Sequence, residues 1–154
     1  MKLVNKVKTI LSGMVPSTQP QTGPYLKTVM YDSGFSANVR IDRNPTPAAL
    51  FYLLSDWNLD VTTQTVRESA NIEVFFFDVC QLDAKGETKD AIIQNMEILA
   101  KDFISRILED KSIRMVGDSV RIQSSYGKFD KFCVGVAVNL KIEEKQASCL
   151  QYES

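Results

Sequence analysis

The sequence predicts an α+β fold in which an antiparallel sheet packs against one long helix, with a helical arm in front. Three observations predict it. Residues 88–109 carry apolar side chains at helical spacing along one wide stripe, residues 72–80 and 132–142 are strand-like runs, and residues 1–13 form a short amphipathic segment set off by prolines. A length of 154 residues suits one such domain, and 44% hydrophobic with 24% charged residues suits a chain that folds around a core.

In chain order, Leu3, Val4, Val7, Ile10 and Leu11 share one side of the first helix, opposite Lys2, Asn5, Lys6, Lys8 and Thr9, and Gly13 stops it. Pro16, Pro20 and Pro24 punctuate an uncharged stretch that cannot continue the helix. Residues 1–24 thus read as an amphipathic helix on a Pro-rich arm, with reach enough to fold back on its own domain or to dock on a neighbouring subunit. Residues 25–154 read as the α+β domain. Residues 25–31 and 35–41 are β-like around a break at Asp32, Ser33 and Gly34, and residues 48–54 fit either a short helix opened by proline or a buried strand. Residues 61–66, rich in Thr and Val, read as an edge strand or extended loop. Residues 72–80 are apolar on both faces, which places that strand centrally with cover on each side.

For the long helix, Thr88 is the expected N-cap and Asp90 suits the first turn. Ile92, Ile93, Met96, Leu99, Ala100, Phe103, Ile104, Ile107 and Leu108 form its core stripe. Burying such side chains contributes roughly 1.5–3 kcal/mol each before chain entropy offsets most of it, so Ile104→Asp is expected to unfold the domain. Residues 113–116 and 120–124 give strands around Gly117 and Asp118. The last strand alternates strictly: Phe132, Val134, Val136, Val138, Leu140 and Ile142 inward, Cys133, Gly135, Ala137, Asn139 and Lys141 outward. That pattern is a one-sided sheet strand whose small outward residues admit close approach of another surface or a tightly packed helix of the same chain.

Composition then narrows the chemistry. The chain has no histidine, which removes Ser-His-Asp and Cys-His nucleophile systems and imidazole metal sites. Eighteen basic residues against 19 acidic ones supply no broad positive field for a polyanion. Cys80, Cys133 and Cys149 form an odd, widely spaced set that suits neither a disulfide scaffold nor a metal knuckle, and Cys80 and Cys133 read as small core residues. The lysines near the start are interspersed with apolar residues, and no run approaches the roughly 18–20 apolar residues a membrane span needs, so assembly in the cytosol is expected.

No glycine pattern cradles a phosphate, and Asp78, Asp83 and Glu87 around Gly86 do not match a calcium loop. No metal or cofactor is expected. Glu143 and Glu144, as strand neighbours, point to opposite faces and cannot converge on one substrate atom. The run Tyr126, Gly127, Lys128, Phe129, Asp130, Lys131, Phe132 interleaves aromatics with cations, which fits a hairpin loop, an interface loop or a single-strand platform.

Four segments, in order, carry a resemblance: Ala70-Asn71-Ile72-Glu73-Val74-Phe75-Phe76-Phe77-Asp78, the helix from Met96 through Ile107, Tyr126-Gly127-Lys128-Phe129-Asp130, and Val134-Gly135-Val136-Ala137-Val138-Asn139-Leu140-Lys141-Ile142. Over residues 25–150, including Ser148-Cys149-Leu150, the chain resembles small virion proteins of tailed bacteriophages of Bacteroidales, tail-terminator-like neck or connector ring proteins such as those below the portal in crAss-like phages. The resemblance implies a homo-oligomeric ring in the virion, twelvefold in a short-tailed neck or sixfold as the terminator of a long tail. It implies contact with the portal and adjacent neck or tail proteins, genomic DNA passing through the lumen without sequence-specific binding, assembly in the host cytoplasm, no membrane and no catalytic role. A net charge of -4 over residues 25–154 accords with a channel that does not hold DNA.

On that reading, Leu3, Val7, Ile10 and Leu11 are the expected partner-docking residues of the arm, and Tyr126, Lys128, Phe129 and Asp130 an exposed contact loop. Deleting residues 1–24 is then expected to spare the fold and impair assembly. Two other classes stay open: a small cytosolic enzyme using Cys80 or a carboxylate, and a nucleic-acid-associated module working through residues 126–132.

Overall fold

The computed structural model describes residues 2–31, 44–54, 57–81, 83–117, 119–128, 133–146 and 148–149. They form helix α1 (Lys2–Ser12), strands β1 (Thr28–Tyr31), β2 (Ala48–Leu53), β3 (Asn58–Val61) and β4 (Thr65–Val79), helix α2 (Gly86–Glu109), and strands β5 (Ile113–Met115), β6 (Arg121–Lys128), β7 (Cys133–Glu144) and β8 (Ser148–Cys149). The strands belong to one eight-stranded sheet in the order β1-β2-β4-β7-β5. The expected strand over residues 35–41, together with Phe129, Asp130 and Phe132, lies outside the described residues.

The fold is thus mixed α and β, but the sheet is not purely antiparallel, because β1 pairs with β2 in parallel, Thr28 beside Ala48. The remaining pairings are antiparallel and follow one plan used twice. Strands β2 and β3 run back along β4 one after the other, Leu53 facing Ile72 and Asn58 facing Ser69. Strands β5 and β6 run back along β7 in the same order, Met115 facing Ile142 and Arg121 facing Asn139. Between β5 and β6, Gly117 takes φ +92°, a left-handed conformation that costs a side-chain-bearing residue but not glycine. The uninterrupted strands β4 and β7 pair with each other from Ser69/Glu143 to Val79/Cys133 and form the centre of the sheet.

Residues 48–54 are therefore a strand, and the segment read as residues 61–66 is the turn of a hairpin, with Thr62 N–H donating to Thr65 O at 2.9 Å. The central strand is longer than its apolar run. Its polar first half is stabilised by partners rather than by burial alone: Glu68 is 7% exposed and accepts from the Lys2 and Leu3 amides at 3.3 and 3.4 Å.

Opposed residues in an antiparallel pair share a face, so the register sorts the core. Ile72, Val74 and Phe76 of β4 lie with Val134, Val136, Val138, Leu140 and Ile142 of β7 against both helices. Phe75 and Phe77 lie on the far face with Met30, Ala48, Leu50, Cys133 and Ala137, and their rings stack at 5.1 Å. The central strand is thus buried on both faces, as its composition requires.

That far-face cluster corrects the one-sided reading of β7: Cys133, Gly135 and Ala137 are buried, and the open face begins only at Asn139. The smallness of Gly135 serves its own sheet. A Cβ there would stand 1.9 Å from Phe76 O and 2.7 Å from Phe77 Cα, so the approaching surface is β4 of the same chain.

The helix-covered face carries two helices rather than one. On α2, Ile93, Met96, Leu99, Ala100, Phe103 and Ile107 are buried, and Phe103 meets Phe76 at 5.8 Å between ring centroids. Ile104 is half-buried and Leu108 is exposed, so the stripe is narrower than its sequence spacing suggests. The helix also starts earlier than expected. Lys85 occupies the N-cap without a side-chain hydrogen bond and Glu87 sits in the first turn, which places Thr88 inside the helix.

On α1, Leu3, Val7 and Leu11 are 1%, 0% and 0% exposed within the same core, and Ile10 packs at its edge. The arm is folded back in cis. In this arrangement Leu3, Val7 and Leu11 are buried against their own domain and Ile10 is partly so.

Candidate functional site

Residues singled out for chemistry do not converge. Among the described residues, no three His, Cys, Asp or Glu side chains stand together as a metal-binding group. Cys80 lines a surface cleft of about 530 Å³ with Gln81, Ala84, Thr88 and Ile92. Cys133 is buried in the far-face cluster. Asp78 accepts from the Thr46 hydroxyl at 2.6 Å and the Val79 amide at 2.8 Å, a structural tie between β4 and the approach to β2.

Glu143 and Glu144 diverge as strand neighbours must. Glu143 accepts from Arg114 at 2.7 Å and lies 3.9 Å from Arg67 on the far face. Glu144 turns to the helix face, where Glu68 N–H donates to it at 3.5 Å.

A second cleft, of about 410 Å³, opens where α1 meets β5 and is lined by Lys2, Lys6, Lys111, Ser112 and Glu144 among others. Its lysines are partly engaged. Asp110, just past α2, accepts from Lys6 Nζ at 2.9 Å, from the Ser112 hydroxyl and amide at 2.7 and 2.8 Å, and from the Ile113 amide at 3.2 Å. Burial pushes this carboxyl up, but those donors, Lys6 first, outweigh it and hold the group at about 2. The corner is a staple joining α1, α2 and β5 rather than an open anion site.

Of the expected contact loop, Tyr126 is described in full: half-exposed on β6, its hydroxyl donating to Asp90 Oδ1 of α2 at 3.1 Å. Donation to that carboxylate, aided by its negative charge, raises the phenol above its ordinary value and keeps it a donor. Lys128 belongs to the end of β6 beside Cys133.

Of the strands paired on one side only among the described residues, β3 and β6 carry large exposed apolar side chains. Strand β3 is exposed at all four positions, with Leu59 at 50% and Val61 at 65%. Strand β6 carries Ile122 at 43% and Tyr126 at 50%. Each of these strands is paired on one side only among the described residues, β3 with β4 and β6 with β7. Between its terminal cations β6 has no charge and no proline, the usual protections of an exposed edge. Sequence reasoning did not single out Leu59 or Ile122 as contact residues, and it named Val61 only as the start of an edge strand or extended loop. Period-two alternation in Leu59-Asp60-Val61 was available as a signal, but which strands end a sheet is decided by pairing over long sequence separations.

No protein-family model matches the sequence, and no curated protein matches it.

Proposed function

We propose that the chain is a virion structural protein built on a tail-terminator-like plan, whose copies close into a head-to-tail connector ring between portal and tail with a central DNA passage. The observation that carries the reading is that β3 and β6, on opposite sides of the central β4-β7 pair, are each paired on one side only among the described residues and carry exposed apolar side chains. Exposed apolar surface on an unprotected edge is stabilised by association. Two unlike contact surfaces on one subunit generate a closed ring or an open filament rather than an isolated pair. The ordered sequence resemblance supports a ring in a phage neck, twelvefold, with the sixfold terminator of a long tail as its alternative.

The test is sedimentation velocity and negative-stain imaging of the purified chain from low to high micromolar concentration, alone and with its portal protein. Annular particles of a single stoichiometry are the expected outcome. A chain that stays monomeric throughout, with and without the portal, would sink the reading.

A further inference from the structure

We infer that the ring contact is strand addition: β3 of one copy pairs antiparallel with β6 of the next, continuing the sheet from subunit to subunit. The inference rests on the ring reading and names the surface that would carry it.

Direction supports the pairing. Strand β3 is antiparallel to β4, β6 is antiparallel to β7, and β4 is antiparallel to β7, so β3 and β6 run in opposite directions at opposite sides of the sheet. Two copies laid side by side in the same orientation therefore bring these strands together antiparallel, the pairing used elsewhere in the sheet.

Facial polarity agrees as well. Leu59 opposes Glu68 and Val61 opposes Val66, which sets both on the helix-covered face. Ile122 opposes Val138 and Tyr126 opposes Val134, on the same face. Asp60, opposite Arg67, and Arg121, opposite Asn139, point to the far face. Neither Asp60 nor Arg121 makes an ion pair among the described residues.

One register satisfies all three relations: Leu59 beside Ile122, Asp60 beside Arg121, Asn58 beside Gln123. It joins apolar to apolar, acid to base and amide to amide, each on its own side of the extended sheet, while backbone groups on both edges gain partners. A two-fold contact of β6 with itself would leave Leu59 and Val61 uncovered and Asp60 without a cation.

The experiment uses two full-length variants, Leu59→Lys and Ile122→Lys, each spoiling one edge and leaving the other intact. Both positions are about half exposed, and circular dichroism confirms that the fold is kept. Wild type assembles. Each variant alone is monomeric, and their equimolar mixture forms a dimer that grows no further, because one intact β3 meets one intact β6.

As a second measurement, Asp60→Arg weakens self-association by roughly tenfold through the like charge set beside Arg121, and Asp60→Arg with Arg121→Asp restores it. If wild type assembles while either variant still self-associates, or while the mixture stays monomeric, strand addition is overturned and the ring reading stands. If wild type itself never associates, the ring reading falls and the inference falls with it.

Discussion

The two helices lie on the same face of one sheet, yet they are held there in different ways. Helix α2 has 24 residues, an acid in its first turn, a base in its last, and an internal Asp102–Arg106 pair at 3.2 Å. Helix α1 has 11 residues, with no acid in its first turn and no base in its last. An isolated helix of that length is marginal in water, and what secures it comes from distant parts of the chain. Glu68 of β4 takes its first amides, and Asp110 beyond α2 takes Lys6. The difference explains why residues 1–24 look detachable in sequence: the groups that fix them are about 65 and 100 positions away.

The largest expected effect separates the two helices by burial depth. Phe103→Asp sets a charge under the centre of α2 against Phe76 and should abolish the thermal transition, at about 4–5 kcal/mol or more. The neighbouring half-buried Ile104→Asp should leave a folded, weakened protein, where spacing alone leads one to expect unfolding.

Next in size, removing residues 1–24 uncovers the core beneath Leu3, Val4, Val7 and Leu11. The melting temperature should fall by about 10 °C or more, with dye binding to exposed apolar surface. An unchanged melt would restore the detachable-arm reading.

Smaller still, Glu68→Ala leaves the amides at the start of α1 without their acceptor. A loss of about 1–2 kcal/mol is expected, seen by hydrogen exchange as faster opening of α1 while α2 stays protected. The smallest effect is acid sensitivity at Asp110. Because its folded value lies near 2, below the ordinary carboxylate value, its contribution is fully present above about pH 4 and is lost as pH falls through about 2. Wild type should therefore lose stability across that interval more steeply than Asp110→Asn, as read by urea titrations at stepped pH.

Legibility in the sequence followed the range of the forces involved. Helix α2 was readable because its stripe repeats over six turns, although its start was missed where Lys85 caps without a side-chain bond. The amphipathic face of α1 was readable, but an apolar face does not specify which surface it covers. Strand β4 was half readable. Phe75, Phe76 and Phe77 announce burial on both faces, whereas Arg67 and Glu68 look solvated until Glu143 and the α1 amides are seen beside them. The small residues of β7 were noticed and misassigned, because only the register reveals that Gly135 lies against Phe77. Tyr126 was singled out with its loop, and the structure places it on an edge strand, but β3 was not. No local pattern says that a strand lacks a second neighbour.

The pairing of β4 with β7 also dictates an order of events during synthesis. Ser69 must wait for Glu143, 74 positions later, so the sheet cannot close its middle until the stretch that separates them has left the ribosome. Until then Phe75, Phe76 and Phe77 have cover only from β2 and the nascent helices, and a nascent chain halted before residue 133 presents them to whatever chaperone or aggregate is nearest. C-terminal truncations should accumulate in inclusion bodies for that reason.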